Sequence, residues 1–286
     1  MEGFFLIYKK KGISSHDVVQ QIKKKFNLTK AGHTGTLDPF AEGLLIVLVN
    51  NFTKLSFLFE NLDKTYEGII LFHKKYDTLD ITGRLIDQKN KNDIYLNSEI
   101  IQKIFNDFRK KEYWQVPPLF SAIKIKGQKM YQLARKKIQI SIPSRKVNIY
   151  DLKMISFLKP DQVKFFVRVS KGTYIRSLAR DIAEKLNTYG CLKKLVRISI
   201  GPYSLKRSQT LELISRENLI NINIFFNHCQ KIILNEYLVK LVKNGIYLDK
   251  RQIITNNPFI VLDKNKKWIA YYEPISPHKY CPKYFF

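Results

Sequence analysis

Short apolar runs separated by polar turns, together with two stretches of helical periodicity, organise this chain. Phe4 to Tyr8 is a nearly continuous apolar run and predicts a buried strand. Ser14 or Ser15 then caps a helix with Val18, Val19, Ile22 and Phe26 on one face and Lys23, Lys24 and Lys25 on the other. Leu44 to Val49 and Tyr66 to Phe72 predict two more buried strands, and Val163 to Val169 alternates as a half-buried one. Ile100 to Phe108 reads as a helix. Thr173 to Leu186 reads as another, with Ile175, Leu178, Ala179, Ile182 and Leu186 turned inward. Strands and helices intermingle without a regular β-α-β spacing, and no internal repeat appears, so the pattern predicts an α+β fold.

The polar run Asn221 to Gln230 marks a boundary between a domain of residues 1–228 and an appendage of residues 229–286. Short apolar pieces in the appendage, Ile232–Leu234, Ile253–Ile254, Phe259–Leu262 and Trp268–Tyr272, predict a small β-rich module. Within the first domain, residues 112–146 carry adjacent prolines at Pro117 and Pro118, a turn at Gly127 and many lysines and arginines. That composition predicts a basic loop or arm.

Charge sharpens the picture. Fifty Lys and Arg against 24 Asp and Glu leave a net charge of +26, which favours a polyanionic partner, because each neutralised phosphate releases a counterion. The last 58 residues hold ten Lys and Arg and four Asp and Glu, so the basicity runs through the whole chain. Cys191, Cys229 and Cys281 are too scattered for a disulfide framework or a zinc knuckle, so no metal site is expected. Glu2 and the brevity of Phe4-Phe5-Leu6-Ile7 argue against a secretory signal, and no apolar run reaches membrane-spanning length. The expectation is a cytoplasmic protein with no membrane association.

One stretch carries candidate chemistry: Ala31-Gly32-His33-Thr34-Gly35-Thr36-Leu37-Asp38-Pro39-Phe40-Ala41-Glu42-Gly43. Its glycines allow close backbone approach to a ligand, and it delivers one carboxylate, Asp38. Asp before Pro is also a common helix start, so a structural role for Asp38 stands beside a catalytic one. A nucleophilic carboxylate needs a cation to stay ionised when partly desolvated, and Arg176 is the candidate partner. Alone, Arg176 reads equally as a surface ion-pairing residue, Tyr66 as a core aromatic and His33 as a turn residue.

Six strings follow one another along the chain: Gly12-Ile13-Ser14-Ser15-His16-Asp17-Val18-Val19, the Asp38 loop, Lys64-Thr65-Tyr66, the run Gln115-Val116-Pro117-Pro118-Leu119-Phe120-Ser121-Ala122-Ile123-Lys124, Ser170-Lys171-Gly172-Thr173-Tyr174-Ile175-Arg176 and Leu195-Val196-Arg197. Taken in this order, they resemble the TruB family of tRNA pseudouridine synthases. The resemblance spans about the first 205 residues. It implies a catalytic domain built on a central, mostly antiparallel sheet flanked by helices. The implied reaction is a cofactor-free isomerisation of uridine 55 in the tRNA T-loop.

By resemblance, Asp38 is the catalytic aspartate, attacking either the ribose C1′ or the uracil ring, and Arg176 is its paired arginine. Tyr66 stacks on the target base, Leu195 packs beneath it, and His33 inserts into the T-loop stack. Gly32, Thr34, Lys64, Lys171 and Tyr174 match motif positions around the substrate. Residues 112–146 match an RNA-clamping insertion, in which Lys124, Lys126, Lys129, Arg135, Lys136 and Lys137 meet phosphate. The appendage corresponds to a small RNA-binding module of the PUA type. The implied partner is tRNA, with assistance to tRNA folding as a companion role, no protein partner and a monomeric enzyme.

The chain departs from the family pattern at Lys75-Tyr76-Asp77-Thr78-Leu79-Asp80, with Tyr76 in place of a threonine, and at Phe120, where a tyrosine is common. Three rival readings stand beside this one. A basic protein that refolds tRNA without chemistry has no use for an arginine-neutralised carboxylate. An aspartate-dependent hydrolase lacks its second carboxylate at acid/base spacing. A synthase of the same chemistry acting on a different uridine keeps every motif.

Overall fold

The computed structural model describes residues 1–286 except 91–95, 122, 126, 131–132, 134–140 and 159, and except the side chains of Lys124, Ile125 and Lys129. Lys126, Arg135, Lys136 and Lys137 of the basic arm, with the side chains of Lys124 and Lys129, therefore lie outside the described residues.

The apolar run at the N-terminus forms β1 (Gly3–Lys9), and α1 (Ser15–Lys25) follows. Ser14 Oγ accepts from the Asp17 amide while the Asp17 carboxylate accepts from the Ser14 amide. Such a reciprocal cap contributes about 1 kcal/mol. Val18, Val19 and Ile22 of α1 pack with Phe5 and Ile7 on one face of the sheet.

After β2 (Ala31–His33) the chain turns through Asp38 into β3 (Glu42–Val49), α2 (Phe57–Glu60) and β4 (Lys64–Phe72). A hairpin, β5 (Lys74–Tyr76) and β6 (Leu85–Gln88), precedes α3 (Ser98–Phe108) and β7 (Lys111–Gln115). The small ribbon β8 (Lys124–Ile125) and β9 (Gln128–Lys129) belongs to the arm. Next come β10 (Arg145–Leu158), β11 (Gln162–Val169), α4 (Ile175–Lys185), β12 (Gly190–Ile200), β13 (Tyr203–Ser204), β14 (Ile220–Asn221) and α5 (Ile222–Phe225). The main sheet runs β14-β1-β3-β12-β4-β11-β10-β7, and every neighbouring pair in it is antiparallel except β3 with β12.

The single parallel contact matters because it brings the strand leaving the Asp38 turn beside Leu195-Val196-Arg197. β12 pairs on its other side with β4, so Tyr66 lies opposite Arg197. Helices α3 and α4 cover one face of this half of the sheet, burying Ile101, Phe105, Leu178 and Ile182 against Ile70, Phe165 and Val167.

Beyond α5, β15 (Gln230–Ile233), α6 (Glu236–Lys243), β16 (Leu248–Asp249), β17 (Phe259–Leu262), β18 (Trp268–Ser276) and β19 (Lys279–Phe285) form a second sheet in the order β15-β17-β18-β19-β16. Ile260, Leu262, Tyr271 and Tyr284 of this sheet share a cluster with Phe4, Leu6, Leu44 and Ile46. The polar run 221–230 is a packed bridge: Phe226 is buried and contacts the rings of Trp268, Tyr271 and Phe286.

Two sequence expectations change. Ile253–Ile254 is not a strand, and Ile254 is exposed. Two apolar residues with polar neighbours on both sides gain no ladder partner here. The fourteen-residue β10 was not anticipated, because irregular register at Ile149/Asp151 and Met154/Ser156 breaks the two-residue alternation that marks a strand.

Candidate active site

The Asp38 turn is held from three sides. Within it, the Ala41 amide donates to the Asp38 carbonyl at 3.1 Å. Ser15 Oγ donates to the Leu37 carbonyl at 2.9 Å and accepts from the Leu37 amide at 2.8 Å, fastening the turn to the start of α1. The fully buried Lys9 places Nζ 2.7 Å from the Ala41 carbonyl, 2.8 Å from that of Ile13 and 3.1 Å from that of Lys10. Gly43 has φ +117°, and a Cβ there would sit 2.4 Å from the Arg197 carbonyl, so only glycine permits this approach of β3 to β12. Asp38 does not cap a helix. A turn and then β3 follow it, which removes the helix-cap reading of Asp-Pro.

Arg176 sits in the first turn of α4, whose N-cap is Tyr174. The Tyr174 amide, an otherwise orphaned helix-start donor, donates to Gln115 Oε1 at 2.8 Å. Arg176 Nε lies 2.8 Å from Asp38 Oδ2, and Nη2 donates to Asp38 Oδ1 at 3.1 Å. The guanidinium also donates to the Thr78 carbonyl at 2.7 Å and the Phe120 carbonyl at 2.9 Å. A second carboxylate, Asp80 Oδ2, stands 3.8 Å from Nη1. With a side chain 5% exposed, Arg176 is no surface ion-pairing residue. Asp80, itself buried, also accepts from the amide and hydroxyl of Thr82.

A cleft of about 290 Å³ opens above this pair. Its lining brings together Thr34, Asp38, Lys64, Tyr66, Tyr174, Arg176 and Leu195 from the sequence-derived set, and adds Arg197. Tyr66 and Leu195 are both buried, on adjacent strands. Lys64 Nζ donates to the carbonyls of Glu60 at 3.0 Å and Leu62 at 2.6 Å. Burial, then the nearby Arg197 charge, pulls its pKa from 10.5 to about 8. Burial likewise raises the Tyr174 hydroxyl. The Thr34 hydroxyl is buried without a hydrogen-bond partner.

Gly32, His33 and Lys171 are not among the lining residues. Gly32 and His33 lie on β2 beside β3. Burial, reinforced by Arg197, lowers the His33 pKa and so favours a neutral ring, whose Nδ1 is unpartnered. Lys171 is exposed and donates to Asn61 Oδ1. For Lys124 only the backbone is described. Asp80, Lys9, Gln115 and Arg197 are site residues to which the sequence reading gave no role. Asp80 stood in the loosely matching 75–80 string, and Arg197 ended the Leu195-Val196-Arg197 string. Among the described residues, no group of three His, Cys, Asp or Glu side chains is placed to hold a metal ion.

Residues 23–175 match the family model described as TruB family pseudouridylate synthase (N terminal domain). The chain belongs to the TruB family. Pseudouridylate synthases are isomerases, and the chain is an enzyme of that class. It is 57% identical, over all 286 residues and the whole of the relative, to tRNA pseudouridine synthase B of Aster yellows witches'-broom phytoplasma (strain AYWB). It is 48% identical over the same complete span to tRNA pseudouridine synthase B of Acholeplasma laidlawii (strain PG-8A).

Solved structures agree on the fold. A Cbf5-Nop10-Gar1 complex superposes with a TM-score of 0.68 at 23% identity, covering 96% of this chain and 79% of the other. An H/ACA RNP bound to a substrate RNA containing 2′-deoxyuridine gives a TM-score of 0.66 at 21% identity, covering 96% and 78%. Among the described residues no helix of this TruB-family enzyme is long and apolar enough to cross a membrane.

Proposed function

We propose that the enzyme isomerises uridine 55 in the T-loop of tRNA to pseudouridine, with Asp38 as the catalytic carboxylate. The observation that carries this reading is the two-point contact of buried Arg176 with Asp38 in a cleft lined by Tyr66 and Leu195. The tRNA substrate is suggested by relatives of the same length that bear the name tRNA pseudouridine synthase B. A net charge of +26 suits that partner.

The chemistry breaks the bond from C1′ to N1, turns the uracil, forms the bond from C1′ to C5, and exchanges the C5 proton for one on N1. Arg176 holds its cation against the Asp38 carboxylate, a pairing that suits attack on C1′ or on the ring. Tyr66 supplies a face on which the extruded base stacks, and its hydroxyl is the group in reach of the C5 proton. Leu195 closes the apolar floor. Gly32 lets the backbone approach the RNA, and His33, held neutral, fills the space left in the T-loop stack. Thr34 offers its free hydroxyl, Tyr174 an aromatic wall, and Lys64 and Lys171 meet phosphate.

In this assignment residues 1–228 form the catalytic domain and residues 112–146 its RNA clamp, to which Lys124 contributes. Residues 229–286 form a PUA-like RNA-binding module, and the monomer acts in the cytoplasm. Assistance to tRNA folding is a companion role in this assignment.

The test is tritium release from a tRNA transcript labelled at uracil C5. One equivalent per transcript is expected, and none from a transcript with cytidine at position 55. Release from the cytidine-55 transcript would reassign the target uridine.

A further inference from the structure

The turn that carries Asp38 is held by a cation that touches neither Asp38 nor, among the described residues, any other carboxylate. Arg197 is 1% exposed, and its Nε donates to the Leu44 carbonyl at 2.7 Å. Its Nη1 and Nη2 donate to the carbonyls of Thr36 at 3.3 Å and Gly35 at 3.1 Å. Gly35 and Thr36 precede Asp38 and Leu44 follows it, so one guanidinium grips both legs of the catalytic turn. Its own backbone is the rung between the turn and the cleft wall, opposite Gly43 on β3 and opposite Tyr66 on β4.

A buried charge without a carboxylate costs free energy, and an apolar side chain of similar size would avoid that cost. What the apolar side chain would not do is satisfy three inward-pointing carbonyls in a fixed planar fork. The neighbouring lysines Lys9 and Lys64 each feel the Arg197 charge as a repulsion, and that charge also disfavours protonation of His33, so the bonds to the turn offset an electrostatic cost.

We propose that Arg197 is a positioning residue for the isomerisation: by tying Gly35, Thr36 and Leu44 together it sets the distance of the Asp38 carboxylate from the base stacked on Tyr66. This rests on the assignment of Asp38 above. Displacing a reacting group by about 1 Å lowers a rate about 100-fold, so the effect belongs in the chemical step and not in RNA binding.

The experiment compares wild type, Arg197→Lys, Arg197→Met and Asp38→Asn on one tRNA transcript, with single-turnover rates, tRNA Kd and thermal unfolding measured for each. Arg197→Met is expected to lose about 100-fold in single-turnover rate with Kd changed less than about threefold. Arg197→Lys, which reaches only part of the carbonyl set, is expected to fall between Met and wild type.

A wild-type rate in Arg197→Met would overturn the inference. So would a loss that follows the unfolded fraction, or failure of both variants to fold, because Arg197 would then serve stability alone. An inactive wild type, or an active Asp38→Asn, would instead sink the assignment of Asp38, leaving a separate signature.

Discussion

Arg176 and Asp38, 138 residues apart in sequence, meet through two guanidinium nitrogens at 2.8 and 3.1 Å. The arginine is buried and the aspartate is a third exposed, so the cation is fixed by the protein while the carboxylate faces the cleft. The remaining arginine donors go to the carbonyls of Thr78 and Phe120, and Asp80 stands behind. Two of these contacts come from separate segments, the β5–β6 hairpin and the root of the arm.

Arg176→Ala would leave Asp80 buried without its cation and two carbonyls without their donor. Breaking a buried pair from one side costs about 3–5 kcal/mol, and urea unfolding should show a loss of that order. Arg176→Lys keeps the charge and loses the fork. It is expected to be less destabilised and still about 100-fold slower in single turnover. A full rate in Arg176→Lys would mean that charge alone suffices.

Tyr66→Phe removes a hydroxyl and keeps the ring. If the ring stacks on the base and the hydroxyl acts at C5, tRNA Kd should stay within about twofold while the single-turnover rate falls by about 100-fold, within the range of general acid–base contributions. Filter binding and rapid quench on the same preparation separate the two. Equal loss in both would reduce Tyr66 to a packing residue.

Gly43→Ala tests the close approach of β3 to β12. The added Cβ meets the Arg197 backbone on both its nitrogen and carbonyl sides, and φ +117° is strained for any side chain. Strain of this kind costs about 1–3 kcal/mol before the clash is counted. The variant should melt well below wild type, and calorimetry at wild-type temperature would contradict the register.

Alkaline stability follows from two buried lysines. Burial pulls Lys9 and Lys64 from 10.5 to about 8 in the folded protein. A folded value below the unfolded one means the unfolded chain binds more protons between about pH 8 and 10.5, so these groups make stability rise with pH across that window. Lys9→Met should remove about half of their rise, read from urea midpoints at pH 7, 8, 9 and 10. Parallel wild-type and variant curves would show that Lys9 does not titrate there.

Much of this was legible before any coordinates. Apolar runs and periodicity placed β1, α1, β3, β4 and β11 because each buries a continuous face, and Ser14 or Ser15 announced α1 through a local cap, which the structure gives to Ser14. The helix-cap reading of Asp38 remained open, since Asp-Pro looks the same at a helix start and in a turn between strands; only β3 following the turn shows that Asp38 caps no helix. Asp80, Gln115 and Arg197 act through contacts 59 to 162 residues away in sequence, made by polar side chains in buried places that no local pattern marks. β12 was reduced to one short motif because the irregularity between Leu192 and Lys194 exposes two lysines where alternation would bury one.

Asp38 and uridine 55 are tested together by mapping pseudouridine in an unmodified tRNA transcript after incubation with the enzyme and no cofactor, by carbodiimide labelling and primer extension, with Asp38→Asn in parallel. A single stop reporting uridine 55 is expected with wild type and none with Asp38→Asn, which should still bind the transcript. A stop at 55 with Asp38→Asn, or none with wild type bound tightly to the RNA, would contradict the assignment.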